Sequence, residues 1–510
     1  MISKILSAIP LGFDGQIIHV EGDMNRGLPG LFIVGLANKT ITESKERVRS
    51  AIINSGFIFP ANKITINLAP AELPKTGPHL DLPIALSILT LSQQLLTSDT
   101  NQKLFVGELS LDGRLRPIRG IINIVEAAKS LGVTQVFVPF DNLAQASLIP
   151  GVQVFGARDL RSLVLHLRGV QSLPLSPAVV KNNKTEENPL LLDHIYGQAI
   201  AKRALTIALA GRHNLLLSGP PGSGKTLLAK TAISLLPPLT AQEQIDITKI
   251  HGLNGSGDII TKRPFRAPHH SASLPSLIGG GAQSTPGEIS LSHLGILFLD
   301  ELPEYPRAVI ESLRQPLEDH QITISRVNFR TTYPANFLLI ATMNPCPCGY
   351  LGDPHRECTC SPGQITRYQQ KLSGPLLDRI DLQVTVPKIP TAELSQISQP
   401  NNSLKTSGAS LISHNSQHQA TCTKIATAIK RQTKRYQSPL VTNGSISSQQ
   451  ATTLPISPPA KELLLQASNK LALSTRSYFK ILKVAQTIAD LNDSPLIDLP
   501  ELSEALSYRF

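Results

Sequence analysis

The sequence predicts an α/β protein built from three folded blocks, and three observations predict it. Strand-like and helix-like runs alternate from the start to about residue 170. A complete glycine-rich phosphate-loop motif follows, set between a buried apolar run and a helical run. From Thr421 to Phe510 the apolar spacing is helical. The bulk composition agrees. A chain of 510 residues holds about three domains at roughly 150 residues each. With 41% hydrophobic and 17% charged residues it has material for sizeable cores, which excludes a mostly disordered chain.

The elements follow in order. QIIHVEGDMN and GLPGLFIVGL read as strands, and TITESKERVRSAIINSG as an amphipathic helix. Thr40 with Glu43 makes a capping box for that helix, and Gly56 supplies its stop. KITINLAP is a strand, LDLPIALSILTLSQQLL a buried helix and QVFVP a short strand. These elements make residues 1–170 one α/β domain. Residues 171–190 are rich in Pro, Asn and Lys and read as a linker. Residues 191–390 carry the chemical motifs. Residues 391–420 are dominated by Ser, Gln and Asn and read as a loop or insertion. Residues 421–510 read as a helical domain. No uninterrupted apolar window reaches about 18 residues, so no membrane span is expected. The opening MISKILSAIPLGFDGQ lacks the apolar length and cleavage site of a signal peptide, and the cytoplasm is the expected compartment. Lys plus Arg is 48 against 37 for Asp plus Glu, and the net charge of +11 favours an acidic partner, most simply nucleic acid. The absence of Trp argues against a large aromatic platform for stacking bases.

The sharpest motif is Gly219-Pro220-Pro221-Gly222-Ser223-Gly224-Lys225-Thr226. It follows the buried run NLLLS and precedes the helical run LLAKTAISLL, the context a phosphate loop requires. Gly222 and Gly224 let backbone N–H groups turn toward phosphate oxygens. Lys225 places a cation near the β- and γ-phosphates, the Thr226 hydroxyl ligates Mg²⁺, and the helix N-terminus adds its dipole. ATP with Mg²⁺ is the implied ligand. GILFLD ends a second apolar strand at Asp300, and Glu301 follows. Asp300 would help hold Mg²⁺, and Glu301 would polarise the attacking water. A third apolar strand, NFLLIATMN, ends at Asn344. That amide either reaches the γ-phosphate or the water, or simply turns the chain before Pro345.

This combination resembles the AAA+ ATPases. In DHIYGQAIAKRAL, Tyr196 and Gly197 stand where that resemblance puts the adenine-side segment. SGPLLDRIDL is similar to the arginine-finger segment, which makes Arg379 the finger. LSTRSYFKIL is similar to the start of the lid helix bearing the second sensor, which makes that sensor Arg476. Further runs (APHHSAS, PGEISLSHLGILFLDELPEY, ESLRQPLEDHQITISR, NPCPCGYLGD) extend the resemblance, over essentially the whole chain, to the magnesium-chelatase-like AAA+ family known as YifB or ComM. The resemblance implies a homo-hexameric bacterial DNA motor that promotes branch migration of recombination intermediates during natural transformation. Its partners would be single-stranded and branched DNA. It also implies a Lon-protease-like N-terminal domain with the ribosomal-protein S5 domain-2 fold, an AAA+ P-loop core and a helical lid. Where Lon-type chemistry needs a serine, this chain has His79, Leu80 and Asp81, and near the position of the lysine it has Ile122. Peptide hydrolysis therefore lacks its nucleophile. The rival functions are a metal-insertion motor of the magnesium-chelatase type and a Lon-related protein-remodelling ATPase.

Cys346, Cys348, Cys358 and Cys360 form two close pairs separated by residues 349–357. Four thiolates at that spacing suit a structural Zn²⁺, with His355 able to replace one ligand; the alternative is four reduced thiols. Cys422 stands alone. QITISRVNFRTTYPAN alternates like a hairpin with Arg326 and Arg330 beside its tip. Hairpins at this place in related motors face the central pore, so these arginines are candidate phosphate grips. Lys262, Arg263 and Arg266 lie in a second candidate pore insertion with His269 and His270, a pair that has no nearby acid to complete a metal shell. KIATAIKRQTKRYQ is a basic helix, either a solvated lid face or a DNA contact.

Overall fold

The computed structural model describes residues 2–35, 39–73, 75, 77–175, 190–281, 285–325, 330–353, 356–388 and 416–509. Arg326, His355 and most of the 171–190 and 391–420 segments lie outside the described residues.

The N-terminal sheet has seven strands: β1 (Ile2–Leu11), β2 (Asp14–Asn25), β3 (Gly30–Val34), β4 (Lys63–Ala69), β5 (Lys103–Phe105), β8 (Gln135–Pro139) and β9 (Gln153–Ala157), in spatial order β3-β4-β2-β1-β5-β8-β9. A small ribbon pairs β6 (Glu108–Leu109) with β7 (Leu115–Arg116). The opening run of the chain, in which the sequence showed only a short apolar stretch, is β1. It pairs antiparallel with β2 along its whole length, from Ile2↔Asp23 to Leu11↔Asp14. Its residues Ser3, Ser7 and Ala8 are small enough for a central strand covered on both faces. The amphipathic helix runs Lys39–Asn54, so Thr40 stands inside its first turn and is not the N-cap. Gly56, at φ +83°, follows its end as expected. The helix Asp81–Leu91 is buried at every position and packs on β1 and β2. That explains why its sequence is mostly apolar all round.

The second sheet has five strands: β10 (Leu215–Ser218), β11 (Phe265–Arg266), β14 (Ile296–Leu299), β17 (Leu338–Met343) and β18 (Leu382–Thr385), ordered β11-β14-β17-β10-β18. Its pairings are all parallel. Two small ribbons lie outside it: β12 (Gly279–Gly280) with β13 (Thr285–Pro286), and the hairpin β15 (Gln321–Ser325) with β16 (Arg330–Pro334). Alternation along β10 sends Leu215 and Leu217 into one core and Leu216 into another, as a sheet covered on both faces requires. The first of these cores is shared with helices Gln417–Tyr436 and Thr475–Asn492, through Ile425, Ala428, Ile481 and Ile488. The C-terminal helices are thus fastened to the sheet by a common core.

Elements flanking the two sheets meet at the helix Ala241–Leu253 and the turn after it. Gly120 N–H donates to Gly252 O at 3.3 Å, and the Gln145 amide donates to Ser256 O and Asp258 O at 2.9 and 3.0 Å. The Lys249 ammonium lies 3.9 Å from the centre of the Phe13 ring and pairs with Glu126. Asp81, in the stretch where the Lon resemblance puts the nucleophile's turn, is fully buried and held by Arg47 at 2.9 and 3.2 Å, so its carboxylate is already engaged. Ile122 lies in an apolar core. Among the described residues no helix is long and apolar enough to cross a membrane.

Candidate active site

The strand, loop and helix expected around Gly219–Thr226 are β10, the loop and the helix Lys225–Leu235. The loop leaves the C-terminal end of β10, an interior strand of the parallel sheet, and ligands of open α/β sheets gather at such strand ends. Gly222 and Gly224 take φ of +76° and +89°, in the left-handed region a glycine supplies without strain. Among the described residues nothing lies within 4 Å of where their Cβ atoms would be. The buried Ser223 hydroxyl has no hydrogen-bond partner among the described residues. A cradle with an orphaned hydroxyl fits a polyphosphate. The Lys225 ammonium folds back onto Gly219 O and Pro220 O at 2.6 and 2.8 Å and reaches Asn344 Oδ1 at 3.4 Å. Burial lowers its pKa, and Asp300 and Glu301 oppose that shift.

The parallel order brings the acids to the loop, because β17 separates β14 from β10 by a single strand. Thr226 Oγ1 donates to Asp300 at 3.2 Å. Threonine and aspartate together would hold Mg²⁺, whose charge would neutralise the phosphates. Thr342, on β17, was not apparent in the sequence. Its hydroxyl donates to Asp300 Oδ1 at 2.5 Å and accepts from the Glu301 N–H at 2.9 Å. Glu301 has φ +52° and an exposed side chain, and accepts from Asn344 Nδ2 at 3.3 Å. Asn344 thus touches both Lys225 and Glu301. Tyr196 is half exposed, and Gly197 turns the chain at φ +57°. The next residue, Gln198, ties the segment to the loop by donating to Ser223 O at 3.4 Å.

Comparison with known proteins places this geometry. Residues 191–394 match the family model described as magnesium chelatase, subunit ChlI; residues 20–142 and 415–509 match the models for subunit ChlI of Mg-chelatase and its C-terminal part. The competence protein ComM of Haemophilus influenzae is 41% identical over 100% of this chain and 97% of its own length. The uncharacterized protein YifB of Escherichia coli is 41% identical over the same shares. The chain belongs to the YifB/ComM family of magnesium-chelatase-like AAA+ ATPases. A Lon protease of Leptospira interrogans is 27% identical over 34% of the chain and 22% of its own length.

In this family member the two arginines lie far from their own phosphate loop. The Arg379 carbonyl accepts from Asn214 Nδ2 at 3.0 Å, and Asp381 accepts the Asn214 N–H at 2.9 Å. Asn214 precedes β10, whereas the phosphate loop follows it. The four residues of β10 put roughly 13 Å between these ends. Arg476 lies at the same end, because its carboxylate partner Glu318 also holds Arg379. Arg476 therefore meets Arg379, through Glu318, and not the phosphate loop of its own chain.

The four clustered cysteines gather as their spacing predicts. Their sulfurs all lie within 4.8 Å of one another. Cys346 to Cys348 is 3.4 Å, and Cys358 is 3.6 Å from each. The edges of a tetrahedron around zinc are of this size, about 3.8 Å for bonds near 2.3 Å. The Tyr350 N–H pulls the Cys348 thiol down to about 6. The loop also abuts the nucleotide cradle: a Cβ on Gly349 would come within 2.6 Å of the Pro221 ring. Metal analysis of the purified protein is expected to return about one zinc per chain. Cys346→Ser with Cys358→Ser should lose it, whereas a metal-free wild type with four titratable thiols would remove the site. Cys422 is half buried against the shared core.

The basic residues divide. Arg330 is exposed at the end of the predicted hairpin. Lys262 is exposed as well. Arg263 and Arg266, assigned from sequence to the same surface, need correction. Arg263 makes a two-pronged pair with Glu243 at 3.0 Å and also donates to Pro237 O and Leu294 O. Arg266 grips Glu288 at 2.6 and 2.7 Å. Arg263 is largely buried and Arg266 about a third exposed, and freeing either would strand a partly buried carboxylate. The basic helix divides likewise: Arg431 and Arg435 pair with Asp493 and Asp490, while Lys424, Lys430 and Lys434 face solvent.

Proposed function

We propose that this ATPase is a cytoplasmic, homo-hexameric DNA motor that drives branch migration of recombination intermediates. The observation that carries the reading is the separation of Arg379 and Arg476 from their own phosphate loop. Such arginines act only if a second subunit supplies the nucleotide, which is what a ring does. Lys225 would hold the β- and γ-phosphates, Thr226 and Asp300 the magnesium, and Glu301 the attacking water, oriented with Asn344. Thr342 would act on the Asp300–Glu301 turn, by fixing one carboxylate and the other's backbone. The zinc loop would brace Pro221 and Asn344.

The net charge of +11 and the exposed Arg330 support DNA as the moving partner. The matching ComM is named a competence protein, which agrees with DNA as a partner. Lys262 remains a candidate DNA contact; Arg263 and Arg266 do not. The decisive experiment offers ATP and a synthetic four-way junction to the full chain and follows strand exchange. ATPase stimulation by the junction supports the reading, and stimulation by unfolded protein or by a porphyrin with partner subunits overturns it. Arg330→Ala is expected to weaken junction binding uniformly across sequences and to reduce the salt slope of affinity by about 1, as for one lost phosphate contact. Salt titration of binding by fluorescence anisotropy measures it.

A further inference from the structure

A cavity of about 330 Å³ opens between the core and the C-terminal helices. Five cationic side chains line it, namely Arg212, Arg379, Arg476, Lys480 and Lys483 with His320 beside them, against the carboxylates of Glu318 and Asp381. Asp381 is already engaged, by Lys480 at 2.8 Å and by the Asn214 N–H. That leaves Glu318 to serve the two arginines. One carboxylate oxygen receives Arg379 and the other receives Arg476, the latter at 2.5 Å. The arginines come from segments almost 100 residues apart, and Glu318 is the last acid but one in the helix Arg314–Asp319. The carboxylate is 46% exposed and free to swing away, while the Arg379 guanidinium, 16% exposed, still donates to Arg314 O at 3.1 Å and Pro375 O at 2.8 Å.

We infer that Glu318 is a placeholder for phosphate. In the unassembled chain it occupies the two arginines, and the γ-phosphate of a neighbouring subunit's nucleotide displaces it when a ring closes. A carboxylate and a phosphate offer a guanidinium the same pair of acceptor oxygens, but the nucleotide carries more charge and wins when it is presented. The remaining cations of the cavity then serve the incoming polyphosphate. Glu318 sets a threshold in this scheme: assembly and turnover must outcompete it. The idea rests on Arg379 acting across the subunit interface, and the experiment separates the two.

The test uses the full chain. Ring formation with a non-hydrolysable ATP analogue is followed by sedimentation, and ATPase per chain is followed over a range of protein concentrations. Glu318→Gln is expected to form rings and reach half-maximal ATPase at about three- to tenfold lower protein concentration, the range for releasing two partly exposed ion pairs. Glu318→Ala should match it, since both remove the charge. Combined with Arg379→Ala, neither should restore turnover. An unchanged or raised midpoint, or a lower plateau, overturns the placeholder and makes Glu318 a support that positions the arginines. Wild-type turnover in Arg379→Ala overturns the interface reading itself. An inactive Arg379→Ala beside an unshifted Glu318→Gln overturns only the placeholder.

Discussion

Arg379→Ala is expected to bind ATP about as well as wild type and to lose roughly 10³- to 10⁵-fold in turnover. The guanidinium stands at the entry end of β10, and the chain's own phosphate loop at the exit end. Binding of nucleotide in the same subunit should therefore not feel the change. Turnover should, because the guanidinium would stabilise charge that develops on the transferring phosphoryl group of the next subunit. Mixing sharpens the result. Lys225→Ala keeps its arginine but loses its phosphate grip, and Arg379→Ala does the reverse. In mixed rings some interfaces pair an intact loop with an intact arginine, and part of the ATPase should return. Steady-state ATPase across mixing ratios, with nucleotide binding measured separately, checks both halves. Wild-type turnover in Arg379→Ala would reduce the residue to a structural charge on Glu318.

Glu301→Gln should keep ATP and magnesium binding and lose about 10²- to 10⁴-fold in hydrolysis, the range for removing a positioned general base. The substitution preserves shape. The backbone N–H of residue 301 can still donate to Thr342, and Lys225, Thr226 and Asp300 are untouched. Only the carboxylate that would accept the water's proton is gone. Single-turnover hydrolysis beside equilibrium nucleotide binding separates the two effects. Near-normal hydrolysis would reject Glu301 as the base. Asn344→Ala offers an internal comparison, because it removes the amide that touches both Lys225 and Glu301 while leaving the base in place.

Much of the site was legible because its chemistry is local. The phosphate loop is eight consecutive residues whose types each answer to a backbone or phosphate requirement. Asp300 and Glu301 announce themselves by ending an apolar run, and the four clustered cysteines by their spacing. The Asp81 helix was legible as buried because apolar residues fill most of its turns, with only Ser87 and Thr90 between them after Asp81. The central strand β1 was harder. Its alternation is blurred by small and polar residues, since both of its faces are covered.

What the sequence determined by itself, then, was the set of elements and the residues able to do chemistry: short-range steric and periodic patterns write these directly into the chain. Which charges meet was decided by tertiary structure alone. Arg263 and Glu243 are 20 residues apart, and Arg476 and Glu318 are 158 apart. No local pattern connects them. Arg263 and Arg330 look equivalent as letters, yet one is an internal tie and the other is exposed. Thr342 is an ordinary strand residue until the order β14-β17-β10 sets it between the acids and the phosphate loop. Arg379 and Arg476 become a pair only because the lid helix packs at the entry end of the parallel strands. Charge pairing acts through space over a few ångströms, and the fold chooses which distant segments come that close.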